Sequence, residues 1–179
     1  RIGYIRLPNT STEGNDALMR WLPALAQKEA LILDDRYNGG GFIPDRMVEM
    51  LAREPLSWWK TRGHAPTPTP LLSHRGPKAM LINGLSSSGG DALPYYFREL
   101  KLGPLVGTRT WGGLIGLSGQ PGLVDGGAIE VPTFRFMADD GRWAVENEGV
   151  APDVEVVDRP ELVAAGHDPS VEKAVELLL

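Results

Sequence analysis

The apolar run Ala79-Met80-Leu81-Ile82 is followed by Asn83-Gly84-Leu85-Ser86-Ser87-Ser88-Gly89-Gly90-Asp91, and that by Ala92-Leu93-Pro94-Tyr95-Tyr96-Phe97-Arg98-Glu99-Leu100. The first run is short and uninterrupted, as a buried strand is, and the last can form a helix. A strand that enters a helix through a tight turn of small residues points to an α/β arrangement. A serine in such a turn lies beside the first unpaired N–H groups of the helix, under the positive end of its dipole. Neighbouring glycines let a substrate approach the backbone. That setting suits a hydroxyl nucleophile and an oxyanion. Serine and glycine are also ordinary turn and cap residues, and the strict Gly-x-Ser-x-Gly pattern is absent. The rest of the chain has to decide between these readings.

Residues 1–7 alternate and are β-rich, which predicts a strand. Residues 15–28 place Leu18, Trp21, Leu22 and Leu25 on one helical face, with Pro23 set to kink it. Ala30-Leu31-Ile32-Leu33-Asp34 predicts a second strand, so the three elements suggest a parallel βαβ unit. Asp35-Arg36-Tyr37-Asn38-Gly39-Gly40-Gly41-Phe42 follows. Its three glycines permit positive φ and an exposed nest of N–H groups, or simply a flexible connection to a helix over 45–52. No Gly-Lys-Ser/Thr ending accompanies them, so this is not a P-loop. Asp35 and Arg36 read as a structural ion pair at the strand end.

Residues 55–62, with Trp58 and Trp59, predict a strand. The alternating prolines of 65–70 exclude helix and read as an extended arm or surface loop. Strands are expected at 78–82, 105–107, 133–137 and 154–157, and hairpin character at 124–131 within the glycine-rich run 119–131. Residues 139–141 predict a turn. Residues 108–116 form a glycine-rich loop placed near the site. Asp168-Pro169 starts the last helix, with Asp as cap and Pro in the first position.

The 179 residues suffice for one domain with a sizeable core. The net charge of −5 disfavours nucleic acid and anionic membranes as partners. The absence of cysteine excludes disulfides and thiolate chemistry. No apolar run reaches the ~18 residues that span a bilayer, and no targeting segment is visible, so a cytoplasmic setting is expected. His64, His74 and His167 are scattered, and no cluster has metal-ligand spacing. No metal or cofactor is expected. Arg1 already lies inside a strand-like run and residues 175–179 stop inside a helical one, which suggests a piece of a longer protein.

Five stretches in order carry a resemblance that covers nearly the whole chain. They are Gly3-Tyr4-Ile5-Arg6-Leu7-Pro8, Asp34-Asp35-Arg36-Tyr37-Asn38-Gly39-Gly40-Gly41, Ser86-Ser87-Ser88-Gly89-Gly90-Asp91, Gly107-Thr108-Arg109-Thr110-Trp111-Gly112-Gly113 and Glu146-Asn147-Glu148-Gly149-Val150-Ala151-Pro152-Asp153. Together they resemble the catalytic domain of the tricorn and C-terminal processing serine peptidases. The processing branch carries a lysine base where this chain has Gly113, so the resemblance is to the tricorn branch. It implies Ser88 as nucleophile and Glu146 as the carboxylate that helps orient a histidine. It implies an oxyanion hole at the N–H groups of Gly41, with Gly40 as the neighbouring alternative, and Gly89. It places the histidine upstream, in a helical subdomain separated by a PDZ domain, and so not at His64, His74 or His167.

The expected fold is α/β, a mainly parallel sheet flanked by helices, of the β-α superhelix kind shared with ClpP and crotonase folds. Residues 1–179 are expected to be a single catalytic domain holding the serine and glutamate half of the site. The resemblance implies peptide substrates, an acyl-enzyme and a homo-oligomeric full-length protein. Two rivals are a crotonase-like acyl-CoA enzyme, which would not need Ser88, and a non-catalytic pseudo-enzyme or oligomerisation domain.

Overall fold

The computed structural model describes residues 1–119 and 121–179; Gln120, inside the run 119–131, lies outside the described residues. The elements in chain order are β1 (Ile2–Arg6), α1 (Thr12–Ala24), β2 (Ala30–Asp34), α2 (Pro44–Ala52), β3 (Ser57–Trp59), β4 (Thr67–Thr69), β5 (Lys78–Ile82), α3 (Gly89–Glu99), β6 (Leu105–Gly107), β7 (Val154–Glu155), α4 (Pro160–Ala164) and α5 (Pro169–Leu178). One sheet has the order β1-β2-β5-β6-β7, and every neighbouring pair in it is parallel. Strand order follows chain order, so the chain winds in one sense across the sheet, as expected for a β-α superhelix.

The central strands β2 and β5 are buried at all five positions each. That is why they read as continuous apolar runs rather than alternating ones. Their side chains still alternate between faces. Leu31, Leu33, Met80 and Ile82 join Leu18 and Leu22 of α1, Met47 and Leu51 of α2, and Leu93 and Phe97 of α3. Ile32, Ala79 and Leu81 face the other way, against Ala174 of α5. Three helices thus cover one face and α5 covers the other. Parallel strands end together, so the turns after β2 and β5 emerge at the same edge of the sheet.

Several elements differ from expectation. Helix α1 starts earlier than 15 because Asn9 Oδ1 accepts the Ser11 and Gly14 N–H groups, both at 3.0 Å. It ends at Ala24, with Pro23 inside its last turn, where the ring leaves the Met19 carbonyl without its usual helical donor. Leu18 and Leu22 are buried, whereas Trp21 is half exposed. Only 57–59 of the expected strand 55–62 forms, and its partner is the proline arm, through β4. An edge position tolerates Pro68, which lacks a donor. Residues 124–131 and 133–137 form no strand beyond the single bridges Gly116–Phe134 and Met137–Trp143. Every described residue from 117 to 135 is exposed, so there is no apolar face to hold a hairpin. The turn at 139–141 is present, with the Gly141 N–H donating to the Ala138 carbonyl at 2.9 Å. The last strand shrinks to 154–155, and α4 was not anticipated.

Arg36 does not pair with Asp35. Its guanidinium donates to Asp34 (2.7 and 2.9 Å), Asp158 (2.8 Å) and Asp168 (2.8 and 2.9 Å). Asp168 also caps α5 by accepting the Val171 N–H at 3.0 Å. One cation therefore ties the end of β2 to the C-terminal helix. Among the described residues no helix is long and apolar enough to cross a membrane.

Candidate active site

Two turns meet at the sheet edge. After β2, Tyr37 has φ 63°, Gly40 φ 85° and Gly41 φ 145°, which brings the chain back toward residues 8–11. The Thr10 N–H donates to the Gly40 carbonyl (2.9 Å) and the Gly39 N–H to the Pro8 carbonyl (3.1 Å). After β5, Ser88 stands at the N-cap of α3 with φ 56° and ψ −117°. A positive φ is uncommon for a residue with a Cβ and marks stored strain. A sharp strand-to-helix turn of this kind can hold a hydroxyl clear of the helix, here without the Gly-x-Ser-x-Gly sequence. The Ser88 side chain makes no capping hydrogen bond, so its hydroxyl is not committed to the helix.

The two turns touch. A Cβ built on Gly40 would stand 2.7 Å from Ser88 Cβ and 2.9 Å from the Ser87 carbonyl oxygen. One built on Gly89 would stand 2.4 Å from the Gly41 carbonyl oxygen, 2.9 Å from Gly41 N and 1.9 Å from Thr10 Oγ1. Glycine is required at both places by close approach. Gly40→Ala is therefore expected to lower the melting temperature and to displace Ser88. A methyl there adds left-handed strain of about 1–2 kcal/mol to a clash with the serine itself. Thermal unfolding checks the first effect, and the rate at which the Ser88 hydroxyl reacts with a fluorophosphonate in the full-length protein checks the second.

The N–H groups in these turns are not equivalent. That of Gly40 donates to Asn38 Oδ1 at 2.9 Å. Those of Gly41 and Gly89 have no acceptor among the described residues. Gly41, Ser88 and Gly89 share one wall of a cavity of about 680 Å³, whose other walls include Phe42, Asp45, Tyr96, Leu114, Phe134, Phe136 and Met137. The loop at 108–116 is beside the site as expected: Leu114, Ile115 and Gly116 line this cavity. Phe134 and Phe136, read from sequence as strand residues, line it too.

That loop is held by two carboxylates. Asp91, in the first turn of α3, accepts from the Gly112 N–H (2.7 Å) and the Gly113 N–H (3.2 Å). Burial pushes the Asp91 carboxyl above its ordinary range, and the hydrogen bonds it accepts pull the other way. Glu146 Oε2 accepts the Leu114 N–H at 2.6 Å. Glu146 sits between two residues with positive φ, Val145 (72°) and Asn147 (64°). It reaches the cavity through Leu114 and does not itself line it.

None of the three histidines enters the cavity. His64 is exposed. His167 lies 3.1 Å from Glu172 at the surface. His74 is buried, with Nε2 2.8 Å from the Lys28 carbonyl oxygen, and burial pushes its imidazole below the ordinary value. Among the described residues no group of three His, Asp or Glu is placed to hold a metal ion.

The model of the Peptidase S41 family matches residues 1–156. The chain is 41% identical over 179 residues to tricorn protease homolog 1 of Streptomyces coelicolor, covering all of this chain and 17% of that protein. It is 37% identical over 179 residues to the tricorn protease of Thermoplasma volcanium, again covering all of this chain and 17% of that one. A crystal structure of the tricorn protease superposes with a TM-score of 0.91 at 36% identity, over 99% of this chain and 17% of the other. The chain thus spans about a sixth of the length of these relatives (17%).

Proposed function

The chain belongs to peptidase family S41, and from that membership we propose that it carries the serine half of a peptidase active site that works through an acyl-enzyme. In this proposal Ser88 Oγ attacks the scissile carbonyl carbon of a peptide, and a histidine from another part of the full-length protein takes its proton. The carbonyl oxygen becomes an oxyanion held by the N–H groups of Gly41 and Gly89. The histidine returns the proton to the leaving amine, and water then hydrolyses the ester.

The observation that carries the reading is the strained elbow at Ser88 (φ 56°), beside two N–H groups left without acceptors on the wall of one cavity. Strain at a residue with no capping duty needs a return elsewhere, and exposure of the hydroxyl supplies it. Gly41 is favoured over Gly40 as the donor, because the Gly40 N–H is already taken by Asn38. A crotonase-like acyl-CoA enzyme would use the glycine turns but leaves the Ser88 elbow without a task. Exposed Phe42 (82%) and Trp111 (67%) suit burial against further protein, and self-association of the full-length protein belongs to the same proposal.

Glu146 holds the Leu114 loop, and the proposal adds support of the histidine. Glu146→Gln keeps an acceptor for the Leu114 N–H but removes the charge. The expected result is a fall in kcat of about tenfold or more, with KM little changed. Steady-state hydrolysis by the full-length protein measures it.

The test of the proposal is labelling of the full-length protein by a fluorophosphonate probe, with Ser88→Ala as control. Labelling that vanishes in the variant is the expected result. Equal labelling of both would remove Ser88 from the reaction.

A further inference from the structure

Asn38 is buried at 0% exposure and stands at the junction of the two site turns. Its Oδ1 accepts the Gly40 N–H at 2.9 Å, and its Nδ2 donates to Asp35 Oδ1 at 2.8 Å. Its own carbonyl accepts the Ser87 N–H at 2.9 Å. Gly90 lies against it: a Cβ there would be 2.7 Å from the Asn38 carbonyl oxygen and 3.1 Å from its Cγ. One residue therefore bonds the Gly39–Gly40 peptide in the glycine turn and the Ser86–Ser87 peptide in the serine turn.

We propose that Asn38 is the positioning residue of the oxyanion site, anchored by Asp35, and that it sets which N–H of the glycine turn faces the reacting carbonyl. The inference rests on the reaction proposed above. The chemistry needs an amide. The Gly40 N–H is a donor, so the side-chain atom facing it must be an acceptor. Asp35 Oδ1 accepts, so the atom facing that must be a donor. A carboxamide meets both demands at once with a single orientation.

With the Gly40 N–H occupied, the next N–H in the turn, that of Gly41, is left free to face the cavity. The Asn38 carbonyl simultaneously fixes the Ser86–Ser87 peptide at the entry to the serine turn, so the glycine turn and the turn that carries the Gly89 N–H are referred to one rigid group. Asp35 is suited to be the anchor. It has 0% exposure. Its own N–H donates to the Leu81 carbonyl (2.9 Å) and its carbonyl accepts from Ser86 Oγ (2.8 Å), which binds it to the β5 side of the site. Its Oδ2 has no partner among the described residues, so Asn38 is the side chain that steers the carboxyl.

The experiment uses the full-length protein, a fluorophosphonate and the split of its inactivation rate into a maximal rate and an apparent affinity. Asn38→Leu removes both side-chain bonds at similar volume. It is expected to lower the maximal rate about a hundredfold, the scale of losing one oxyanion donor, with apparent affinity unchanged within about threefold. Asn38→Asp sets two carboxyls against each other and is expected to be slow at pH 8. Adding Asp35→Asn to Asn38→Asp restores one carboxamide and one carboxyl group with their places exchanged, and is expected to recover the rate to within about fivefold of the unaltered protein. A role in folding alone predicts instead that the rate tracks the fraction of folded protein and that the exchange rescues nothing beyond the melting temperature.

Unaltered maximal rates in Asn38→Leu, with Ser88→Ala inert, would overturn this inference and leave the reaction standing. Reactivity retained in Ser88→Ala would overturn the reaction itself.

Discussion

Ser88→Ala is expected to lower peptide hydrolysis by the full-length protein by about a millionfold, the scale on which losing an enzyme's nucleophile leaves only binding and oxyanion stabilisation. The fold should survive. The Ser88 side chain makes no capping bond, so the methyl of alanine abandons no partner and creates no new clash at Cβ. Equal thermal unfolding of the two proteins, beside a collapse in kcat, separates chemistry from stability. A loss of only tenfold would mean that Ser88 assists a different group. Its φ of 56° would then be strain without the proposed return.

The second large effect concerns the frame. Arg36 is bound on three sides by Asp34, Asp158 and Asp168. The side chains of Arg36 and Asp34 are only 10% and 5% exposed. Arg36→Ala would leave carboxylates facing one another without their cation. Breaking a buried pair from one side typically costs about 3–5 kcal/mol, and the same is expected here in denaturant unfolding. Arg36→Lys is expected to recover only part of it, since an ammonium cannot present the planar fork that serves three carboxylates.

The deficit should depend on pH, with a definite sign. Burial pushes the Asp168 carboxyl up, but the Arg36 hydrogen bond, the Val171 N–H and the Arg36 charge together outweigh it and hold the group below its ordinary value. A depressed carboxyl contributes stability above its unfolded pKa, about 3.9, and that contribution is lost as pH falls through the folded value. The gap between unaltered protein and Arg36→Ala should therefore be widest near neutral pH and narrow below about pH 4. A constant gap across that range would mean that Arg36 acts by packing rather than by charge.

The strands were legible where burial was complete. Ala30–Asp34 and Lys78–Ile82 appear as read, because a strand covered on both faces leaves an uninterrupted apolar run. The turn after Ile82 was legible for its composition, and the family resemblance singled out Ser88. What composition could not reveal was its backbone, since the turn at Ser88 is packed against the glycine turn after β2, through the Ser87 N–H on the Asn38 carbonyl. Asn38 was visible only as a letter in a motif. Its importance depends on Gly40, Ser87 and Asp35 converging on it, which is a tertiary fact. The misread stretches, 124–131 and 133–137, show the converse: alternating residues suggest a strand, but a chain exposed throughout has nothing to fold against. Phe134 and Phe136 join the cavity through the Gly116 bridge instead. Arg36 was assigned to its sequence neighbour, whereas its true partners lie 122 and 132 residues away as well as two.

The most direct measurement is peptide mapping by mass spectrometry of the full-length protein after reaction with a fluorophosphonate. The account predicts one phosphonyl adduct, on the Oγ of Ser88. An adduct on another serine, or none on a protein that hydrolyses peptides, would contradict it.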